Sequence, residues 1–162
     1  MHISSNWSTH LPVLIKVMGM TDGDVLELGS GLFSTPYLHW VCFEKRKLVT
    51  YEDNKQFLNF LEGFKNDLHE IKQVTDWDKI EIEKPWDVVL VDHSPAPRRK
   101  EEIRRLANYA KFIVVHDTQD ETEFEYQYHE IYPLFKYRFD YKKDPTNTSI
   151  LSNFVDVSKL EI

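Results

Sequence analysis

The residues of this sequence best placed to do chemistry stand directly after apolar runs. Gly29-Ser30-Gly31 follows Asp24-Val25-Leu26-Glu27-Leu28, and Glu52-Asp53 follows the run from Lys47 to Tyr51. Asp76-Trp77 comes after His69 to Val74, Asp92-His93 after Trp86 to Val91, and His116-Asp117 after Phe112 to Val115. A Gly-x-Gly turn lets the backbone approach a ligand with no Cβ in the way, and the start of the following helix offers unpaired N–H groups. Glu52 lies 23 residues after Gly29, at the end of the next run. A carboxylate at that place suits hydrogen bonds from ribose hydroxyls. Carboxylates and imidazoles can also take a proton from a reacting hydroxyl or hold a cation.

These groups need elements that position them. From Thr21 to Ala110 apolar runs alternate with helical patterns, the signature of crossover units around a parallel sheet. Trp86 to Val91 and Phe112 to Val115 read as buried strands, because both faces of a parallel sheet are covered. Ser8 to Met20 reads as a helix with Pro12 in its first turn. Ser34 or Thr35 is expected to cap a second helix, with Pro36 at its first position and Tyr37 to Phe43 continuing it. Asp53 or Asn54 is expected to cap a third, carrying Phe57, Leu61, Phe64 and Leu68 on one face. Only eleven residues, Asp76 to Trp86, link the third and fourth strands, too few for a full crossover helix. Arg98 to Tyr109 and Glu121 to Leu134 read as helices. Two closing strands, Phe135 to Lys142 and Ser149 to Phe154, flank a return through Asp144-Pro145-Thr146-Asn147. In an open parallel sheet ligands sit beyond the carboxyl ends of the strands, and all five of those ends carry polar or glycine residues.

Composition narrows the classes. The 162 residues carry a formal net charge of −7, with 41% hydrophobic and 14% aromatic residues, which excludes a disordered acidic chain. Seven Pro and five Gly exclude low complexity. One cysteine, Cys42, excludes an intramolecular disulfide. No apolar run approaches the about 18 residues of a membrane span. Met1 to Met20 lacks the basic start and small-residue cleavage site of a signal peptide, so a soluble, cytoplasmic protein is expected. The acidic balance argues against extended contact with a polyanion. The length suits one domain over 1–162, with an N-terminal helix or lid at 1–20 and the core at 21–156.

Dinucleotides and S-adenosylmethionine share the strand-end geometry. The dinucleotide fingerprint favours small residues after the second glycine, whereas here Leu32-Phe33 are bulky and only Ser34 is small. Val25-Leu26-Glu27-Leu28-Gly29-Ser30-Gly31 resembles the first motif of class I S-adenosylmethionine-dependent methyltransferases. The resemblance extends over Thr21 to Phe154. Ser34-Thr35-Pro36, Trp86 to Asp92 and Val114-Val115-His116-Asp117-Thr118 look most like small-molecule and sugar O-methyltransferases. It implies an α/β, Rossmann-like, doubly wound sheet of seven strands in the order 3-2-1-4-5-7-6, ending in an antiparallel hairpin. It further implies that Glu27 and the backbone of Gly29, Ser30 and Gly31 face the methionine part of the cofactor. Glu52, with Asp53 beside it, would bind the ribose, Asp76 the adenine amino group, and Trp77 would pack on the adenine. Asp92 would lie beside the methyl group and acceptor. The fourth motif reads Asp92-His93-Ser94-Pro95 and lacks the Asn-Pro-Pro-aromatic form of amino-group DNA methylases.

Methyl transfer from a sulfonium is an in-line displacement, and a hydroxyl acceptor must lose its proton to a base or to a metal that lowers its pKa. Asp92, His93, His116 and Asp117 are the catalytic candidates. Asp92 and Asp117 offer a second route, as oxygen ligands for Mg²⁺. The acceptor is expected to be a small molecule or an exposed group. Trp7 and His10 would cover the cleft, which the N-terminal helix or a second copy of the chain must close. Two other readings keep the fold: an NAD-type oxidoreductase, and a non-catalytic binding module. A third is an RNA or DNA methyltransferase using the cations from Arg98 to Arg105. Those cations could instead pair with Glu101 and Glu102 on a solvated face.

Overall fold

Seven strands form one sheet in the order β3-β2-β1-β4-β5-β7-β6, in a computed structural model that describes residues 4–143 and 145–162. Residues 1–3 of the N-terminal segment, and Asp144 of the expected return, lie outside the described residues. The strands are β1 (Val25–Leu28), β2 (Leu48–Glu52), β3 (His69–Gln73), β4 (Trp86–Val91), β5 (Ala110–His116), β6 (Tyr137–Tyr141) and β7 (Thr148–Ser152). The first five run parallel, with β1 between β2 and β4. β7 returns antiparallel to β5, and β6 pairs antiparallel with β7. This is the order implied by the family resemblance.

The continuous apolar runs are explained by two cores, one on each face of the sheet. Leu26, Leu28, Val49, Val89, Val91 and Val115 bury into one core, and Val25, Leu48, Val88, Leu90 and Val114 into the other. The period of two along each strand divides its residues between them. α1 (Leu11–Met18) carries Pro12 in its first turn and closes the second core with Val13, Leu14, Val17 and Met18. The N-terminal helix is shorter than the sequence suggested, because Ser5–Ser8 winds as a separate 3-10 turn. α2 (Ser34–Cys42) adds Leu38 and Cys42 to the same core.

Three helical expectations need correction. Neither Ser34 nor Thr35 caps α2: the helix starts at Ser34, and the cap position, Phe33, makes no side-chain bond. The third helix ends early. Asn54 caps α3 (Lys55–Leu61) as expected, by accepting a hydrogen bond from Gln56 N. Beyond Leu61 the chain tightens into a 3-10 turn, Glu62–Phe64, and Asn66 then accepts the backbone N–H groups of Leu68 and His69 to launch β3. Leu68 is left exposed. The segment from Glu121 to Leu134 holds only one α-turn, α5 (Glu123–Tyr126), between 3-10 turns. Gln127 adopts φ +54°, which breaks the helix and brings the Tyr126 and Tyr128 rings into a stack 5.1 Å apart. Phe124, within that segment, is exposed.

The short third crossover has only a 3-10 turn, Trp77–Lys79, capped by Asp76. α4 (Arg99–Leu106) is the crossover between β4 and β5. Among the described residues no helix is long and apolar enough to cross a membrane.

Candidate active site

The site begins at the bend after β1. Gly29 has φ +85°, and a Cβ there would come within 2.5 Å of the His93 backbone. Only glycine fits a bend that combines a left-handed φ with so close a neighbouring strand. The bend turns Ser30 towards β2, where its backbone N–H and hydroxyl donate to Glu52 Oε2 at 2.8 and 2.6 Å. The other carboxylate oxygen accepts Asn54 N at 2.7 Å. Glu52 therefore belongs to the hollow beside residues 29–31 and is held there by charge-assisted bonds.

Glu27 lies underneath. It is fully buried and accepts the hydroxyls of Thr35 and Thr50, at 2.9 and 2.8 Å. Thr35 Oγ1 in turn accepts Gly31 N at 3.0 Å. That bond is where the hydroxyl expected to cap α2 is spent. Burial pushes the Glu27 carboxyl up to about 7, against hydrogen bonds from Ser34, Thr50 and Thr35 that lower it. Thr50 also meets His69 Nε2 at 2.9 Å, and His69 Nδ1 meets His39 Nδ1 at 3.0 Å. A buried polar chain thus runs from beneath the loop to the far side of α2.

The opposite wall comes from the ends of β4 and β5. Arg99, at the start of α4, is buried and reaches both acids: Asp92 Oδ1 at 2.8 Å and Asp117 Oδ2 at 3.2 Å. Burial would raise the Asp92 carboxyl, but Arg99 and His116 outweigh it and hold it well below the usual carboxylate range. Asp117 adopts φ +59°, a strained conformation for a side chain with a Cβ. Its carboxylate is gripped by Arg99 and by the Tyr126 hydroxyl at 3.1 Å. His116 Nδ1 stands 3.3 Å from Asp92 Oδ2, and its Nε2 is 2.9 Å from Thr9 Oγ1. Burial lowers the His116 pKa, but the Asp92 contact reverses this and leaves it raised. His10 completes the wall, its ring meeting that of His116 edge to face at 4.9 Å. It is buried, and among the described residues neither ring nitrogen has a hydrogen-bond partner.

These two walls enclose a cleft of about 490 Å³. Of the residues singled out by sequence, Gly29, Ser30, Gly31, Glu52 and Asp53 line one side, and Asp92, His93, His116 and Asp117 the other. Trp7 and His10 border it as well. Glu27, Asp76 and Trp77 do not line it. Asp76 pairs with Lys79 at 2.9 Å. Trp77 is buried, stacks on His93 at 4.0 Å and donates to Asp53 Oδ2 at 3.2 Å. His93 Nδ1 lies 3.2 Å from the Ser94 carbonyl, whereas its buried Nε2 faces Glu102 Oε2 at 3.2 Å and neither of those two atoms has a hydrogen-bond partner among the described residues. The acids proposed for Mg²⁺, Asp92 and Asp117, both bind Arg99, so a guanidinium stands where the two carboxylates converge.

The sequence placed Arg99 among the cations of a nucleic-acid-binding or solvated face, and His10 as a cover. Arg99 instead ties two strand ends together. Thr9 and Thr146, both in contact with His116 Nε2, carried no signal in the sequence.

No protein-family model matches this chain, and no curated protein matches it. Solved structures do. The chain is similar to an O-methyltransferase from Bacillus cereus in complex with S-adenosylhomocysteine, at 14% identity and TM-score 0.65, covering 93% of this chain and 83% of that one. It is similar to the O-methyltransferase TomG from Streptomyces achromogenes, solved with S-adenosylmethionine, at 17% identity and TM-score 0.65, covering 93% and 81%. A precorrin-6y C5,15-methyltransferase from Geobacter metallireducens matches at 13% identity and TM-score 0.64, covering 93% and 92%. At these identities the likeness establishes the fold.

Proposed function

We propose that this chain, which has the class I methyltransferase fold, binds S-adenosylmethionine and transfers its methyl group to an oxygen of a small or exposed acceptor. The observation that carries the reading is Glu52 bonded to Ser30 beside the Gly29 bend, facing Asp92 and His116 across one cleft. When bound, the cofactor supplies a sulfonium methyl group. The chain's residues supply the rest.

The backbone from Gly29 to Gly31 presents a surface without Cβ bulk to the amino-acid end of the cofactor. Glu52 keeps lone pairs free for the ribose hydroxyls while Ser30 and Asn54 fix its orientation. Glu27 acts from below, since its bonds to Thr35 set the hydroxyl that receives Gly31 N. Asp53, steadied by Trp77, borders the same end. On the acceptor side, Asp92 orients the His116 ring. With the methyl group supplied in this way, the acceptor hydroxyl would give up its proton to a base of this chain. His116, paired with Asp92, is the candidate base. His93, its ring stacked on Trp77 and its backbone packed under Gly29, acts as a positioning residue under the loop, and Asp117 acts through Arg99.

Two rival readings keep the same cleft. An NAD-type site would need room for a pyrophosphate where Leu32 lines the cleft. A nucleic-acid methyltransferase would need free cations on α4. There Arg98 pairs with Glu102, Arg99 with Asp92, Lys100 with Glu130, Arg104 with Glu101 and Arg105 with Glu83. Calorimetric titration with S-adenosylmethionine, S-adenosylhomocysteine and NAD separates the first rival from the proposal. Binding of the first two alone is expected; binding of NAD alone, or of none, overturns the proposal.

A further inference from the structure

We infer that His10, Asp92 and His116 form a binding site for a divalent transition-metal ion such as Zn²⁺, Fe²⁺ or Co²⁺, on the acceptor side of the cleft. One ligand atom from each of the three lies within 4.8 Å of the others. Metal–ligand bonds of about 2.0–2.2 Å put donor atoms about 3–4 Å apart around one ion, within small rotations of these side chains.

Three observations converge on this place. The first is the orphaned His10: a buried imidazole borders the cleft with neither nitrogen hydrogen-bonded among the described residues. Such a group costs free energy unless something else satisfies it. Second, His116 has the support that ligating histidines have. Thr9 and Thr146 engage its Nε2, which leaves Nδ1 directed at Asp92. Third, the Asp92 carboxylate is divided. One oxygen binds Arg99 and the other faces His116.

The donor set selects the ion. Two imidazoles and one carboxylate suit borderline transition metals, whereas Mg²⁺ prefers oxygen ligands throughout. Three protein ligands leave coordination positions open, and an ion there lowers the pKa of a coordinated hydroxyl. The inference rests on the methyltransferase reading only for that last role, in which the ion replaces the His116 ring as the means of activating the acceptor. It also gives the segment before α1 a task, because His10 is the ligand that lies outside the β4 and β5 strand ends.

Cobalt titration tests it. Chelator-treated, tag-free protein is titrated with Co²⁺ and followed by visible absorption, with S-adenosylhomocysteine calorimetry on the same preparation. One Co²⁺ per chain, displaced by Zn²⁺ and not by millimolar Mg²⁺, is expected. Both His10→Ala and the bulkier His10→Gln should weaken it at least tenfold while retaining the wild-type circular dichroism. His129→Ala, which alters an exposed histidine paired with Glu123, should leave it unchanged. Absence of cobalt bands, undiminished binding in both His10 variants, or displacement by Mg²⁺ overturns the inference. Nucleoside binding without cobalt binding ends this inference and leaves the methyltransferase reading intact; cobalt binding without nucleoside binding does the reverse.

Discussion

Glu52 accepts two hydrogen bonds from one residue, Ser30: the backbone N–H at 2.8 Å and the hydroxyl at 2.6 Å. The end of β2 is thereby tied to the bend after β1, and the ribose-binding carboxylate of the proposed site is oriented before any ligand arrives. Glu52→Ala removes both this orientation and the charged acceptor. Charge-assisted hydrogen bonds of this kind contribute about 1–3 kcal/mol. S-adenosylhomocysteine affinity should fall by that amount in calorimetry, and Ser30→Ala, which keeps the backbone bond, should lose less. Equal affinity for wild type and Glu52→Ala would remove Glu52 from the site.

The two loop glycines should behave differently. A Cβ on Gly29 meets the backbone of His93 and Asp92, and its φ is left-handed, whereas a Cβ on Gly31 comes close to the Ser34 hydroxyl, at 2.9 Å, and stays in ordinary contact with the Ser34 backbone, at 4.0 Å. A backbone cannot rotate out of the way. Gly29→Ala should therefore cost about 2–4 kcal/mol of stability and displace the loop. Gly31→Ala should cost about 1 kcal/mol, and a larger side chain there, as in Gly31→Val, should reduce nucleoside binding more than stability. Urea denaturation of both alanine variants checks the order, and a Gly31→Ala loss as large as that of Gly29→Ala would contradict it.

Stability should fall with rising pH through Glu27. Burial raises its carboxyl from the ordinary 4.5 to about 7 in the folded chain. The folded state thus holds the proton more tightly than the unfolded state. The stabilisation is complete below pH 4.5 and is lost as pH climbs through 7. At about 1.4 kcal/mol per pH unit the loss amounts to about 3 kcal/mol. Glu27→Gln is neutral at every pH and should flatten this fall, so urea midpoints at pH 5, 6, 7 and 8 should converge for the variant. The same downward slope in wild type and variant would assign it to another group.

The parts of this site that sequence made legible are the local ones. Gly29-Ser30-Gly31 sits next to its strand, and Glu52 ends the next one, so spacing alone pairs them. The strand order followed from the family resemblance, while the apolar runs marked strands buried on both faces of a sheet. His10 was not legible as a partner of Asp92 and His116, because the contact arises only when the chain ahead of α1 crosses the ends of β4 and β5. Trp77 and Asp76 were assigned to the adenine by the family resemblance. The 3-10 turn of the short crossover instead buries Trp77 against His93. α3 and the segment after β5 were read too long, since periodicity continued past Gly63 and Gln127 while the backbone did not.

The cations of α4 offer the last test, because the sequence alone allowed them to be a polyanion-binding face. Free lysines and arginines that neutralise phosphates release counterions, and affinity then falls steeply with salt. Here Arg98 bridges Asp78 and Glu102, Arg105 bridges Glu83 and the carbonyls of Trp77 and Ile80, and Arg99 is buried against Asp92 and Asp117. Moving any of them to a phosphate would strand a carboxylate, and Glu102 and Asp92 would be stranded in partly or wholly dry surroundings. The formal charge of −7 adds general repulsion. Fluorescence anisotropy with single-stranded RNA and duplex DNA should therefore show weak binding at low salt, with little further change as salt rises. A steep salt slope, reduced by Arg104→Ala, would move the acceptor from small molecules to nucleic acid.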